Sequence, residues 1–320
     1  MPVRTAVCLL MPPTLLAAAC AGSPSSAGSK EPPALTKAQA AQVLASYSAA
    51  AARAGERLDI RSLKAVETGP QLTMDTASYK LHRVARQKPR APRFDKPVYY
   101  IPRTKSYPRW FAVDAFSGSG KELLRHALLF TQAGPGAPWL LGAAPFPADA
   151  SLSKVALDGE GYATAVPPSA EGLAVAPDRI AIAHAALMSG GPSAPGASAM
   201  AAGPKTGQAY DALRTAQGQL KKIGVTLASR FSAAPAPIYA LRTKDKGALV
   251  WYVLRQHEAY TTPKRGRLAV TGDLTGLAPA RSAKTRLEST VLIQYLAAVP
   301  PKGRATVTGM YRKAVAADGS

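Results

Sequence analysis

The sequence predicts an α+β fold of two tandem domains, each with helices packed on one face of a curved antiparallel sheet. Three observations point there. Helical spacing precedes strand spacing in each half, without the strand–helix alternation that marks a parallel sheet. Strand signals come in pairs around short turns, as hairpins do. A hairpin pattern also recurs after about 140 of the 320 residues, one domain's worth.

Element by element, Thr36 opens a helix with Gln39 as its capping-box partner, and Ala40, Val43, Leu44, Tyr47 and Ala51 follow at helical spacing up to Gly55. A short helix is expected over 60–66, then a turn at Gly69-Pro70 and a proline-broken basic loop over 83–93. Strands are expected at 98–103, 109–115, 127–132, 139–143 and 161–166. Residues 177–188 read as a helix with Ile180, Ala183, His184 and Leu187 on one face, while the Gly/Ala/Ser/Pro-rich stretch 189–205 reads as a mobile insert. A further helix runs from Thr206 to its stop at Gly224, with Tyr210, Leu213, Leu220 and Ile223 inward and Lys221 and Lys222 in its last turn. Stretches 238–243 and 248–255 form a hairpin, and 291–298 and 306–315 are closing strands.

The two halves match in sequence. Pro97-Val98-Tyr99, then Arg103-Thr104-Lys105, then residues 109–113 run parallel to Pro237-Ile238-Tyr239, Arg242-Thr243-Lys244 and residues 249–253. Each hairpin is followed by an apolar strand carrying a glutamine, Gln132 or Gln294. Helices followed by such a sheet resemble the cystatin-like, nuclear-transport-factor-like cone. The division expected is a signal at 1–19, a lipidated cysteine and flexible tether at 20–34, and α+β domains at 35–170 and 171–316.

Arg4, an apolar stretch over 6–16 and Ala17-Ala18-Ala19-Cys20 have the order of an export signal. The stretch is shorter than the roughly 18 residues a spanning helix needs. Small residues directly before Cys20 resemble the lipobox of bacterial lipoproteins, which implies acylation of that cysteine. Ordinary secretion fits the same cleavage pattern. The absence of any later cysteine favours the lipid, since a disulfide partner is missing from the mature chain. Ala21-Gly22-Ser23-Pro24-Ser25-Ser26-Ala27-Gly28-Ser29 follows as a tether. The whole chain is similar to actinobacterial surface lipoproteins of unknown function, which implies the outer face of the cytoplasmic membrane and carries no catalytic residues over.

Forty Lys and Arg against nineteen Asp and Glu leave a net charge of +21, of which residues 1–19 contribute only Arg4. The excess comes from scarce carboxylates, since charged residues are only 18% of the chain. Such a field gathers anions. Outside a membrane those are lipid headgroups and acidic wall polymers, and no nucleic-acid motif is visible. Density is highest at residues 80–93 and at Lys264-Arg265-Gly266-Arg267.

Motifs for chemistry fail on spacing. Ser117-Gly118-Ser119-Gly120-Lys121 lacks the phosphate loop's outer glycine, because Ala115 stands there, and Glu122 replaces its Ser/Thr. Ser151-Leu152-Ser153-Lys154 and Lys205-Thr206-Gly207 resemble parts of penicillin-recognising enzymes but fall on the wrong elements. His82, His126, His184 and His257 form no metal-ligand pattern, and His184 reads as a hydrogen-bonded core residue. No catalytic residue, cofactor or metal site is therefore assigned. The surface that invites a ligand is Tyr99, Arg103, Tyr107, Arg109 and Trp110, where rings stack and guanidinium groups grip anions. The alternative there is cross-strand aromatic packing. The expected role is a membrane-anchored, non-catalytic binding or scaffolding module. The rival is a small-molecule hydrolase or lyase pairing Asp114 with His126 inside a cone.

Overall fold

The computed structural model describes residues 30–263 and 266–320. The signal at 1–19, Cys20, the tether up to residue 29, and Lys264 and Arg265 lie outside the described residues. The first helix, α1 (Lys37–Arg57), starts as expected: Thr36 Oγ1 accepts from the Gln39 amide and Gln39 Oε1 accepts from the Thr36 amide. It runs past Gly55 and ends where Leu58 turns left-handed. Gly55 instead makes room, since a Cβ there would sit 3.1 Å from Pro89. After α2 (Ile60–Lys64) comes α3 (Gly69–Ala85), which replaces the expected turn and the start of the basic loop. Gly69-Pro70 opens a helix rather than ending one, because proline in the first turn lacks an N–H that would be unpaired anyway.

Residues 31–320 form one compact unit. Its strands make two main antiparallel sheets. The first is a meander of β1 (Asp95–Tyr100), β2 (Arg109–Ser117), β3 (Leu124–Gln132) and β4 (Leu140–Ala143). After β5 (Phe146–Pro147) come α4 (Pro177–Gly190), α5 (Gly207–Lys222), β6 (Thr226–Ala233), β7 (Tyr239–Arg242) and β8 (Ala248–Thr261). A two-residue ladder of β9 (Leu268–Ala269) and β10 (Ser282–Ala283) precedes the long hairpin of β11 (Arg286–Val299) and β12 (Thr306–Gly319). The second sheet has the order β5-β12-β11-β8-β6, with β7 beside β8 as well. The matched hairpins of the two halves occupy equivalent places: β1-β2-β3-β4 and β7-β8-β11-β12 are both meanders.

Strand alternation divides the core. Phe111, Val113, Leu128 and Phe130 face α1, against Ala40, Leu44 and Tyr47. Trp110, Ala112 and Leu129 point the other way and pack on Leu249, Trp251 and Leu296 of the second sheet. The Trp251 indole N–H donates to the Ala127 carbonyl at 3.1 Å across this seam. The far face of the second sheet, with Val250, Tyr252, Leu254 and Ile293, is covered by Ile180, Leu187 and Met188 of α4. Helix, sheet, sheet and helix are thus stacked, and β8 is apolar through Leu254 because both its faces are buried there. Each large side chain so buried contributes about 1.5–3 kcal/mol.

The expected tandem domains at 35–170 and 171–316 are closely joined. β5, from the first half, pairs with β12 of the second, and Met74 of α3 packs on Val253 and Leu292. The expected tether at 20–34 stops short of its end: Pro33 bridges Arg103, and the Ala34 amide donates to the Pro102 carbonyl at 3.0 Å. Nor is 189–205 a loose insert. Ala197 and Met200 are buried, Ala201 and Ala305 exchange backbone bonds with their neighbours, and the Tyr210 ring lies where a Cβ of Gly191 would be. Small residues fill that segment because it packs closely. Residues 161–166 make isolated bridges at Ala163 and Ala165 instead of a strand. Ile223, expected inward, is exposed.

Candidate functional site

The five residues expected to form one ligand surface are divided by the fold. Arg103 is occupied structurally: its Nε donates to Asp158 at 2.7 Å, its Nη2 forms an ion pair with Glu160 at 2.8 Å, and its Nη1 donates to the Glu31 carbonyl. Its guanidinium also lies over the Tyr162 ring. Trp110 is buried between the sheets, 5.1 Å from the Tyr239 ring. Tyr99 is half-buried against the core under α1, and that burial raises its phenol pKa. Only Tyr107 and Arg109 come together, with the Arg109 guanidinium 4.8 Å from the Tyr107 ring centre.

Those two line a groove of about 720 Å³ between α1 and the first sheet. β2 supplies Arg109 and, opposite it in register, β3 supplies Gln132, whose amide donates to the Ala137 carbonyl at 2.8 Å. Trp139 stands edge-on to Phe111 at the same end. From α1 come Gln39, Gln42, Ser46, Ala50 and Arg53, three or four residues apart and so on one stripe. Tyr47, Val43 and Val66 add apolar and aromatic lining.

The lining holds two guanidinium groups and no carboxylate. Arg109 Nε is buried without a hydrogen-bond partner, a costly state for a cationic donor. A groove this size admits a drug-sized molecule. Its residues offer guanidinium forks for an anion, amides and a hydroxyl for polar groups, and ring faces for stacking. Arg53, Gln39, Gln42, Ser46, Gln132 and Trp139 were not assigned to a ligand surface from sequence. The available signal was the polar stripe on α1 beside its buried one. A smaller cleft of about 230 Å³ lies between the sheets, lined by Pro70, Leu129, Pro237, Tyr239 and Trp251, and carries no charged group.

The pair needed for acid–base chemistry is split by the pleat. Asp114 stands opposite Ala127 and His126 opposite Ala115, so they project from opposite faces of the sheet. Asp114 accepts from Arg125 Nε and Nη2, both at 2.7 Å. His126 Nε2 is 2.7 Å from Ser117 Oγ, and burial pushes its pKa down to about 4. His184 is buried as expected: Tyr252 lies 2.9 Å from Nδ1 and the Lys205 carbonyl 2.9 Å from Nε2. The carbonyl can only accept, so Nε2 carries the proton and Nδ1 accepts from the phenol. Burial brings its pKa down to about 4. Ser117–Lys121 runs from the end of β2 into the β2–β3 turn, and Ser151 is fully buried with its hydroxyl on Asp149. Among the described residues no three of His, Cys, Asp and Glu gather to hold a metal, and no helix is long and apolar enough to cross a membrane.

A second polar cluster is largely buried. The Tyr47 hydroxyl donates to Glu67 Oε1 at 3.0 Å, and Gln71 Nε2 to Asp75 at 2.9 Å. No donor reaches Glu67 Oε2, and Asp75 lies beside it. Burial, then the neighbouring Asp75 charge, pushes Glu67 up to about 10, so it holds a proton at neutral pH.

The chain is 31% identical over 286 residues to an uncharacterized lipoprotein of Streptomyces coelicolor, covering 78% of this chain and 77% of that protein. A second lipoprotein of the same organism is 27% identical over 259 residues, 75% and 74% of the two chains. An uncharacterized lipoprotein of Streptomyces avermitilis is 27% identical over 178 residues, 54% and 50% of the two chains. No solved structure matches the chain. The family model for a domain of unknown function, DUF8094, matches residues 31–319, and the chain belongs to that family.

Proposed function

We propose that this protein is an exported lipoprotein, acylated on Cys20 and held at the outer face of the cytoplasmic membrane. There it acts as a non-catalytic binding module whose α1 groove takes a small anionic ligand with a ring. The observation that carries the ligand reading is Arg109: a buried, unpartnered Nε beside Tyr107 in a groove with a second arginine and no carboxylate. The lipoprotein relatives support the envelope location, and the lipobox-like residues before Cys20 support the anchor. A binding role suits a groove that offers cationic and stacking groups without an acid–base pair.

Two measurements test this. Mass spectrometry of the mature N-terminus should show diacylglyceryl-modified Cys20, and Cys20→Ser should move the protein from the detergent to the aqueous phase. Calorimetric titration of the Cys20→Ser protein should show binding of glucuronic acid or glucose phosphate but not of glucose. Arg109→Ala should weaken that binding about tenfold or more, the worth of a charged hydrogen bond. Equal binding of neutral and anionic sugars, or an unaffected Arg109→Ala variant, would reject the groove.

A further inference from the structure

We infer that the β2–β3 turn is a second contact with the membrane, in which two leucines enter the interface of an anionic bilayer while surrounding lysines and arginines hold its phosphodiester headgroups. The inference rests on the envelope location proposed above and is independent of the groove.

The turn spans residues 118–123. Gly118 and Gly120 adopt left-handed backbone (φ 77° and 57°), and a Cβ at Gly118 would run into the Glu122 carbonyl oxygen. This tight path holds Leu123 and Leu124 in solvent, 52% and 47% exposed. Single exposed apolar residues are ordinary on a protein surface. Among the described residues, however, these two are the only large exposed hydrophobics adjacent in sequence. They also stand at the tip of the β2–β3 hairpin.

The charge around them is positive. Arg90 forms an ion pair with Glu122, which pins the basic run containing Lys88 and Arg93 to the turn and cancels the turn's own carboxylate. Lys121 lies within the turn. Lys96 follows Asp95, which sits opposite Phe116 at the same end of the sheet. All five cations are exposed. Exposed leucines ringed by lysine and arginine are the composition by which a protein surface lies at an anionic lipid interface.

Geometry permits both contacts together. Ser117 faces Leu124 at the tip, and Arg109 faces Gln132 at the groove end of the same two strands, about 27 Å away. The chain enters the fold at the groove end, where Pro33 bridges Arg103. The eleven residue steps from Cys20 to Glu31 have a contour length of roughly 37 Å. That contour length exceeds the distance along the strands from the groove end to the tip, so anchoring through Cys20 does not forbid contact at the tip.

The test is sedimentation of the mature chain from residue 20, carrying Cys20→Ser, with vesicles of equal phosphatidylglycerol and phosphatidylcholine or of phosphatidylcholine alone. Binding to the anionic vesicles only is expected. Leu123→Ser/Leu124→Ser should lower the partition coefficient about tenfold, and Lys88→Glu/Lys121→Glu should do the same. Lys302→Glu/Arg304→Glu makes the same charge change on the exposed β11–β12 turn and should have no effect. Circular dichroism confirms that each variant is folded. The inference is overturned by absent vesicle binding, by an inert leucine variant, by equal loss in the remote charge variant, or by binding to purified wall polymer alone. All tip variants should retain wild-type affinity in the groove titration, so failure of one site is separable from failure of the other.

Discussion

The side-chain amide of Gln294 donates to the Gln71 carbonyl oxygen at 3.0 Å, while its own carbonyl accepts from the Ala144 amide at 2.7 Å. One fully buried side chain on β11 thereby ties together α3, the end of the first sheet and the centre of the second. Together with the Trp251–Ala127 bond, these are polar contacts in a largely apolar seam whose area comes from its aromatic and aliphatic residues. Gln71 passes the chain of bonds to Asp75 and thus to Glu67 and Tyr47.

Replacing Gln294 by Ala leaves the Ala144 amide and the Gln71 carbonyl buried without partners. A loss of about 2–4 kcal/mol is expected, the penalty for two stranded polar groups plus a small cavity. Urea denaturation should show a lower midpoint with an unchanged slope.

Glu67 makes stability fall with alkali. Its pKa is raised from 4.5 to about 10 by burial. The folded protein keeps this proton where the unfolded chain has lost it, so its contribution is complete below about pH 4.5 and is lost as pH rises toward 10. Glu67→Gln, which remains neutral, should flatten the decline in urea midpoint between pH 7 and 9. An unchanged slope in the variant would show that other groups carry the effect.

His184 acts in the opposite direction. Its pKa is lowered from 6.5 to about 4, so the unfolded chain takes up a proton first on acidification. The stability it contributes is present above about pH 6.5 and is lost as pH falls toward 4. NMR should find its imidazole neutral at pH 5.5, protonated on Nε2. His184→Leu should cost roughly 2–4 kcal/mol, since it strands the Tyr252 hydroxyl and the Lys205 carbonyl.

Arg103 and Arg109 should separate folding from binding. Arg103→Ala removes the bonds to Asp158, Glu160 and the Glu31 carbonyl, so limited proteolysis near residues 31–34 and 158–162 should quicken severalfold while groove affinity holds. Arg109→Ala should weaken ligand binding and leave the proteolytic pattern as it is.

Local chemistry made much of this molecule legible in advance. The Thr36–Gln39 capping box, the helix bearing His184 and the strands near 109–115, 248–255 and 291–298 follow from interactions within a few residues. α3 escaped because Gly69-Pro70 is equally good turn and helix-start chemistry, and the choice falls to Met74 finding a partner on β8 and β11. β6 escaped because its residues alternate weakly, and its pairing with β8 is what makes it a strand.

By itself the sequence determined the α+β class, the basic balance and the short-range elements, since each is encoded in composition or in periodicity over one or two turns. Only the tertiary structure decided that the sheets pack face to face, that Arg103 is spent on folding while Arg109 faces an open groove, and that Asp114 and His126 look away from one another. Those outcomes turn on register and on which face of a strand meets which partner. A single residue of slip reverses both, and contacts between residues far apart in the chain set them.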